Sequence, residues 1–302
     1  MTRWLPAACL VLLTATPSAQ RRTPAAPTGE LIELDVVVLD RDHRPVTDLR
    51  QDEFQIKDDG KPVEVKTFSK VTALGSTQQD DGRVVTLLMD DIGVPITGTS
   101  PMQQIAPVVL APMGNGDELS VVRLSSRTDE AFGDFSTARD RIAGYRGGVQ
   151  PFSRRDTPET TLKAIAKIAK QLEAIDHKRK VILCLGLPSV CDVAEPPLGG
   201  NSPFWAAWVD AIVSTARANA SVYCVDPTGA RGGGHIGNGL VQFTGGTMFH
   251  DNNFAPAGET IWREAGHYYL LGYWPGPSKR EVHDVDVRVT RKNVHVRARQ
   301  RR

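Results

Sequence analysis

Three short apolar runs constrain what this chain can fold into. They occupy residues 84–91, 181–186 and 222–226, each ends on an acidic residue or a glycine, and helical patterns lie between them. Strands buried on both faces are continuous runs of Val, Leu and Ile, whereas half-exposed strands alternate. The runs therefore predict an α/β fold that is Rossmann-like, with a mostly parallel sheet and helices on both faces.

Two helical patterns between the runs are the clearest. Residues 157–175 carry one apolar stripe, and Thr157 precedes a proline, which is typical of a helix start. A second helix over residues 204–219 carries Trp205 and Trp208 three positions apart. Packing in the core is the expected role of this aromatic stripe, and an exposed anchor for a partner is the alternative.

Both ends of the chain alternate between apolar and polar residues. Near the start, Asp59 and Gly60 separate two alternating runs, which predicts a tight hairpin. Near the end, residues 285–289 and 294–298 alternate in the same way, which predicts a second hairpin with one buried face. A strand over residues 268–274 is expected beside it.

The patterns divide the chain into segments. Residues 30–72 form a small β unit, residues 83–266 the α/β domain, and residues 267–302 the strands expected to pack with the first unit. The polar, glycine-containing segment before residue 83 is a natural boundary.

The first residues differ from the rest. Arg3 is followed by an apolar stretch over residues 5–13, which is too short to span a bilayer of about 30 Å. Residues 1–19 are therefore predicted to be a signal peptide and residues 20–29 a linker. We expect an exported protein, periplasmic or secreted, with no membrane span after the signal is removed.

Composition excludes one class of partner. The net charge is +1, with 40% hydrophobic and 24% charged residues, which is ordinary for a globular protein. A whole-protein basic surface for nucleic acid is therefore not expected. The basic stretch 279–302 contains no interleaved aromatic residues for base stacking, and we interpret it as a solvated face.

Three cysteines remain once Cys9 is removed with the signal. Cys184 and Cys224 lie within predicted core strands, and Cys191 follows the second run. We expect buried, inert thiols, and one disulfide with one free thiol is the alternative. No pair has the spacing of a zinc site or a redox motif.

Six segments carry a family resemblance. In chain order they read LDVVVLDRDHRPVTDLRQDEFQIKDDGKPVEVKTFS, VVTLLMDD, KRKVILCLG, VYCVDPTG, FTGGTMF and GHYYLLGYWPG. The chain resembles the exported proteins of the acidobacterial type that are related to the von Willebrand factor A (VWA) domain. The resemblance implies a VWA-like α/β fold and a role in binding other proteins.

The same resemblance implies a place for a metal ion. VWA domains often bind a divalent ion through an Asp-x-Ser-x-Ser loop after the first strand, a distant threonine and a further aspartate. Here Asp90 and Asp91 end the first strand with no serine at the required spacing, and Leu185 takes the place of the further aspartate. Thr157 or Thr160 corresponds to the threonine. Since Mg²⁺ prefers several oxygen ligands, the resemblance implies a degenerate site without metal or other cofactor.

Two other interpretations of the acidic residues remain open. An unorthodox metal site could use Asp90, Asp91 and Asp226, because all three follow strands that end at one edge of the sheet. Alternatively, Asp90 and Asp91 cap neighbouring turns through backbone hydrogen bonds.

Other motifs are weak. The glycine-rich segment 232–239 lacks the lysine of a phosphate loop, so a surface loop is expected and an anion-binding nest is the alternative. Ser189 lacks the glycines of a nucleophile elbow, and the histidines are scattered. We therefore expect no enzyme activity.

The sequence favours an exported, non-catalytic interaction module. It is expected to bind a protein or cell-envelope partner at the carboxyl edge of the sheet, through Asp90, Asp91 and Thr157. The alternatives are a divalent-metal-dependent adhesion module and a hydrolase of unknown substrate.

Overall fold

The computed structural model describes residues 30–72, 82–125, 132–148, 157–175, 179–195, 202–229 and 239–302. The expected signal peptide and linker lie outside these residues. The twelve strands found there are β1 (Ile32–Leu39), β2 (Phe54–Asp58), β3 (Lys61–Val63), β4 (Val65–Thr72), β5 (Arg83–Met89), β6 (Glu118–Arg123), β7 (Arg179–Leu185), β8 (Ala220–Val225), β9 (Met248–Phe249), β10 (His267–Tyr273), β11 (Val285–Val289) and β12 (His295–Ala298). The α-helices of the same residues are α1 (Thr99–Leu110), α2 (Phe135–Ala143), α3 (Thr157–Glu173), α4 (Pro188–Cys191), α5 (Pro203–Arg217), α6 (Leu240–Phe243) and α7 (Ala255–Gly266).

A five-stranded parallel sheet forms the centre of the molecule. Its strand order is β6-β5-β7-β8-β9, and every neighbouring pair is parallel. Helices α3 and α5 contribute to the apolar cluster on one face, and α1, α2 and α7 contribute to the cluster on the other. Strands β5, β7 and β8 are buried on both faces, which is why they are continuous apolar runs. This mixed α/β arrangement is consistent with a Rossmann-like fold.

Helix α5 shows how the sequence places a core residue. The hydroxyl of Ser202 accepts a hydrogen bond from the Trp205 N–H at 3.1 Å, and Pro203 follows at the first helical position. The helix then directs Trp208 into the core, where it is fully buried and packs edge-on against Phe243. The stripe therefore serves the core at Trp208, while Trp205 is only partly buried.

Two antiparallel sheets complete the molecule. One has the order β12-β1-β10-β4 and the other β11-β2-β3, so strands from both ends of the described chain pair with one another. The turn between β2 and β3 places Asp59 at φ 48° and Gly60 at φ 75°. This left-handed pair of residues is what a tight hairpin requires, and the hairpin predicted from Asp59 and Gly60 is confirmed.

The second predicted hairpin is wrong. Strand β11 pairs with β2 and β12 pairs with β1, so the two strands belong to different sheets. The start of β11 contacts the chain just after β12, where the Val285 N–H donates to the Gln300 carbonyl at 3.0 Å. An alternating pattern identifies the buried face of a strand but does not name its partner, and that is why the prediction failed.

Buried charges join the antiparallel sheets to the parallel sheet. Asp35 of β1 forms an ion pair with Arg179 at the start of β7, and the Asn219 side-chain amide donates to Asp35 at 2.9 Å. Arg299 donates to the carbonyls of Thr215 and Ala220 at 2.8 and 2.7 Å. These contacts lie at the amino ends of β7 and β8.

No helix among the described residues is long and apolar enough to cross a membrane.

Candidate functional site

The strand order places a topological switch point at the carboxyl edge of the parallel sheet. The chain passes from β5 to β6 on one side and then to β7 on the other, so connections leave β5 and β7 in opposite directions. Open α/β sheets bind ligands outside the carboxyl ends of strands at such a point. The residues that follow these strands are Asp90 after β5, Gly186 after β7 and Asp226 after β8.

Asp90 lies at this switch point, directly after β5. Its side chain is buried, and Oδ1 accepts hydrogen bonds from the N–H groups of Ile92 at 3.1 Å and Gly93 at 2.6 Å. The N–H of Leu187 donates to Oδ2 at 3.4 Å. Because backbone amides engage both oxygens, the carboxylate holds together the loops that follow β5 and β7.

The two glycines beside Asp90 allow this close packing. A Cβ on Gly93 would lie 2.6 Å from Asp90 Oδ2, and one on Gly186 would lie 2.4 Å from Asp90 Cβ. Neither position has room for a side chain, so protein atoms pack tightly around Asp90. Burial raises the pKa of Asp90, and the hydrogen bonds from Gly93, Ile92 and Leu187 oppose that rise.

Asp91 follows Asp90 at the same edge of the sheet and is only partly buried. Its carboxylate accepts hydrogen bonds from the Ser125 N–H at 2.8 Å and from the Ser125 hydroxyl. Since Ser125 follows β6, this contact ties together the loops after β5 and β6. Sequence reasoning missed Ser125, because no local pattern relates two positions so far apart in the chain.

Asp226 and Thr157 complete the set of residues expected at this edge. Asp226 is fully buried, and its Oδ1 accepts hydrogen bonds from the Thr228 N–H at 2.8 Å and the Thr228 hydroxyl at 2.6 Å. Helix α3 begins at Thr157, whose side chain lies outside the described part of the structure. The glycine-rich segment 232–239 also lies outside it, except for Gly239.

The loop after β5 presents an apolar side chain to solvent. Ile96 is 47% exposed, and Val108, at 42%, is the other large hydrophobic residue that is exposed in the described part of the chain. The backbone around Ile96 is nevertheless fixed. Its N–H donates to the Gly148 carbonyl at 3.0 Å, and the Gly148 N–H donates to the Val94 carbonyl at 2.9 Å.

Gly147 explains how two chain segments approach so closely there. A Cβ at this position would lie 2.3 Å from the Pro95 carbonyl oxygen, and the Gly147 N–H donates to the Thr99 hydroxyl at 3.0 Å. Residues 94–99 are therefore held between their own helix and the segment 147–148. Sequence reasoning missed Ile96, although its position in a loop between a buried strand and a helix was a usable signal.

The cysteines depart from the expected buried thiols. Cys184 and Cys191 form a disulfide with a Cα–Cα distance of 5.7 Å, and among the described cysteines Cys224 is free and buried. Helix α4 supplies the physical reason, because it turns the chain back over the end of β7 within seven residues. The structure therefore has the alternative arrangement, one disulfide and one free thiol.

Within the described residues, the acids at this edge do not form a compact metal-ligand group. The group of potential ligands that lies close enough for one ion is elsewhere, at Asp58, Asp59 and His283 beside the β2–β3 turn. There Arg302 donates to Asp58 at 2.6 Å and Arg280 lies 3.4 Å from Asp59, so arginines already balance both carboxylates. We interpret that group as an ion-pair cluster.

Comparison with known proteins gives distant likenesses among solved structures. No protein-family model and no curated protein sequence matches the chain. Among solved structures, proximal thread matrix protein 1 from the mussel byssus is 10% identical with a TM-score of 0.40, over 67% of this chain and 49% of that chain. The chain thus spans about half the length of that protein.

Two further solved structures are similar over most of their own length. The conserved hypothetical protein BatB from Bacteroides thetaiotaomicron is 12% identical with a TM-score of 0.36, over 61% of this chain and 99% of that chain. The N-terminal domain of TFIIH p34 is 13% identical with a TM-score of 0.32, over 61% of this chain and 97% of that chain.

Proposed function

We propose that this chain is an exported, non-catalytic interaction module with a VWA-like fold. It binds a protein or cell-envelope partner through the loops at the carboxyl edge of its parallel sheet, and binding needs no metal ion. The observation that carries the proposal is Ile96, an exposed apolar side chain on a loop whose backbone is held in place by hydrogen bonds.

A fixed loop with an apolar tip is suited to binding. Protein interfaces concentrate their energy in a few apolar anchors that a polar rim surrounds. Ile96 supplies such an anchor, and Asp91 with Ser125 supplies polar groups on the same edge of the sheet. Because the loop is already ordered, little conformational entropy is lost on binding.

The surroundings of Asp90 support binding without metal. A divalent ion at this edge would need free carboxylate oxygens, whereas both oxygens of Asp90 accept hydrogen bonds from backbone amides. Leu185, at the end of β7, offers no oxygen ligand from its side chain. In this proposal Asp90 supports the binding loop from beneath, and Asp91 and Thr157 belong to the binding edge.

Two observations support export. Residues 1–19 have the pattern of a secretory signal. The Cys184–Cys191 disulfide fits an oxidising compartment, since disulfides are rare in proteins that remain in a reducing cytosol.

Affinity capture with three forms of the protein tests the proposal. Immobilised wild type, Ile96→Asp and Val108→Asp are each incubated with envelope extract, with and without a chelator, and bound proteins are quantified by mass spectrometry. Val108 is the matched control, because it is similarly exposed but lies near the far end of α1. We expect a partner that wild type and Val108→Asp retain, that Ile96→Asp loses, and that the chelator does not release.

Two results would contradict the proposal. Retention of the same partner by Ile96→Asp would show that binding uses another surface. Release by the chelator, with rebinding on adding Mg²⁺, would show a metal-dependent adhesion module instead.

A further inference from the structure

The free thiol lies beside the disulfide. Cys184 in β7 and Cys224 in β8 are direct register partners in the parallel sheet, and both belong to the same apolar cluster on one face. Neighbouring strands are about 4.8 Å apart, which lies within the Cα–Cα range of roughly 4.4–6.8 Å that a disulfide requires. Cys184 therefore has two cysteines within bonding reach, Cys191 on α4 and Cys224 on the next strand.

We propose that the disulfide of this protein migrates between two pairings, Cys184–Cys191 and Cys184–Cys224. In the forward step the Cys224 thiol loses its proton, and its thiolate attacks Sγ of Cys184. The bond from Cys184 to Cys191 breaks, and Cys191 leaves as a thiolate that takes up a proton. The exchange consumes no oxidant or reductant, because one disulfide and one thiol are present before and after it.

The exchange would release the segment that covers Asp90. In the present pairing the disulfide fastens α4 to the end of β7, the Leu187 N–H donates to Asp90, and Gly186 is packed between Asp90 and Cys191. In the other pairing this covalent fastening is lost, and Cys191 is a free thiol. The effect on partner binding at this edge rests on the proposed function, whereas the exchange itself does not.

The surroundings of Cys224 keep the disulfide exchange slow at neutral pH. Burial raises the pKa of the Cys224 thiol well above its ordinary value, and the charges of Asp192, Asp226 and Asp90 raise it further. Only the thiolate attacks a disulfide, so the rate follows the small fraction of thiolate. The fold therefore holds the reactive sulfur in its unreactive, protonated form.

Disulfide mapping of the full-length mature protein tests this inference. Samples held at increasing pH are quenched with acid, alkylated under denaturing conditions and mapped by peptide mass spectrometry. At neutral pH we expect alkylated Cys224 and an intact Cys184–Cys191 bond. As the pH rises, alkylated Cys191 and the Cys184–Cys224 peptide should appear together, at a rate that increases roughly tenfold per pH unit below the thiol pKa.

Two variants sharpen the test. In Cys224→Ser, Cys191 should stay protected at every pH, because the attacking thiol is absent. In Cys191→Ser, treatment with diamide should join Cys184 to Cys224 in the folded protein, with loss of both alkylation sites.

Three outcomes would overturn the inference. One is a Cys191→Ser protein that keeps native circular dichroism and two alkylatable thiols after diamide. Another is equal exposure of Cys191 in wild type and Cys224→Ser. The third is alkylated Cys184 in place of Cys191, which would mean that the other sulfur is attacked. None of these results bears on partner capture, so the failure of this inference and that of the proposed function can be told apart.

Discussion

Asp35 and Arg179 form a buried ion pair between the two parts of the fold. Asp35 lies in β1 of the antiparallel sheet and Arg179 is the first residue of β7, and their side chains are only 6% and 3% exposed. The guanidinium also stacks over the ring of Tyr268 at 4.8 Å, and it donates to the Ser221 hydroxyl at 3.1 Å. A buried ion pair therefore links the antiparallel sheet to the parallel one.

Breaking this pair should strongly destabilise the protein. In Asp35→Asn the Arg179 charge stays buried without its counter-charge, which typically costs about 3–5 kcal/mol. The free energy of unfolding from urea titration measures the loss. Asp52→Asn is the control, because the Arg50–Asp52 pair is largely exposed and its loss should leave the midpoint unchanged. Equal urea midpoints for the two variants would contradict the assignment of Asp35 and Arg179 as a stabilising buried ion pair.

Asp90 should make stability depend on pH in a defined direction. Its raised pKa means that the folded state holds the proton more tightly than the unfolded state, so this stabilising contribution is present at low pH. It is lost as the pH rises above 3.8, the ordinary aspartate value, and through the folded pKa. Wild type should therefore lose stability relative to Asp90→Asn as the pH rises, as measured by urea titration at several pH values.

Asp134 provides a control of opposite sign. Its hydrogen bonds from Ser136 and Thr137 at the start of α2 lower its pKa, so its contribution is present above the ordinary value and is lost on acidification. Wild type should gain stability relative to Asp134→Asn as the pH rises. If the stability difference between wild type and Asp90→Asn does not change with pH, while that for Asp134→Asn changes as expected, the carboxyl at position 90 does not have a raised pKa.

Gly186 should not tolerate a methyl group. In Gly186→Ala the new Cβ would meet Asp90 Cβ at 2.4 Å and Cys191 Sγ at 3.0 Å, and overpacking of this kind costs about 1–3 kcal/mol. The melting temperature should fall accordingly. Gly276→Ala serves as the comparison, since nothing lies within 4 Å of that position. A Gly186→Ala protein as stable as Gly276→Ala would show that the loop after β7 does not pack on Asp90 as described.

Asp226 should restrain disulfide exchange. Its charge helps to raise the pKa of the Cys224 thiol, so Asp226→Asn should increase the thiolate fraction. The asparagine keeps an oxygen that accepts from Thr228. We expect exchange about twofold to tenfold faster at a fixed pH, measured as the appearance of alkylated Cys191. The exposed residue Asp251 gives a matched control, and an equal rate in Asp251→Asn and Asp226→Asn would refute the electrostatic restraint.

Local pattern identified several elements correctly. The apolar runs gave β5, β7 and β8, because a strand covered on both faces must be apolar at every position. Asp59 and Gly60 gave the β2–β3 turn, because few residue pairs accept two positive φ angles. The apolar stripe over residues 157–175 predicted α3, because apolar side chains that recur about every 3.6 residues lie on one face of a helix.

Long-range pairing was beyond the reach of the pattern. β11 and β12 each alternate, yet they join different sheets, and no residue within either strand states its partner. For Asp90, the alternative that it caps the neighbouring turn through backbone hydrogen bonds is confirmed. The donor that no local pattern predicts is the Leu187 N–H, which is distant in the chain.

The sequence by itself determined the buried strands β5, β7 and β8, the turn between β2 and β3, the helix α3, and the acidic residues that follow β5 and β8. Those properties depend on side chains within one turn or one strand. Only the tertiary structure decided that the Leu187 N–H reaches Asp90, that Ile96 stays exposed on a fixed loop, and that Cys184 lies between two other cysteines. These depend on groups that the chain brings together from distant positions, and their distances are fixed only when the sheet and helices pack.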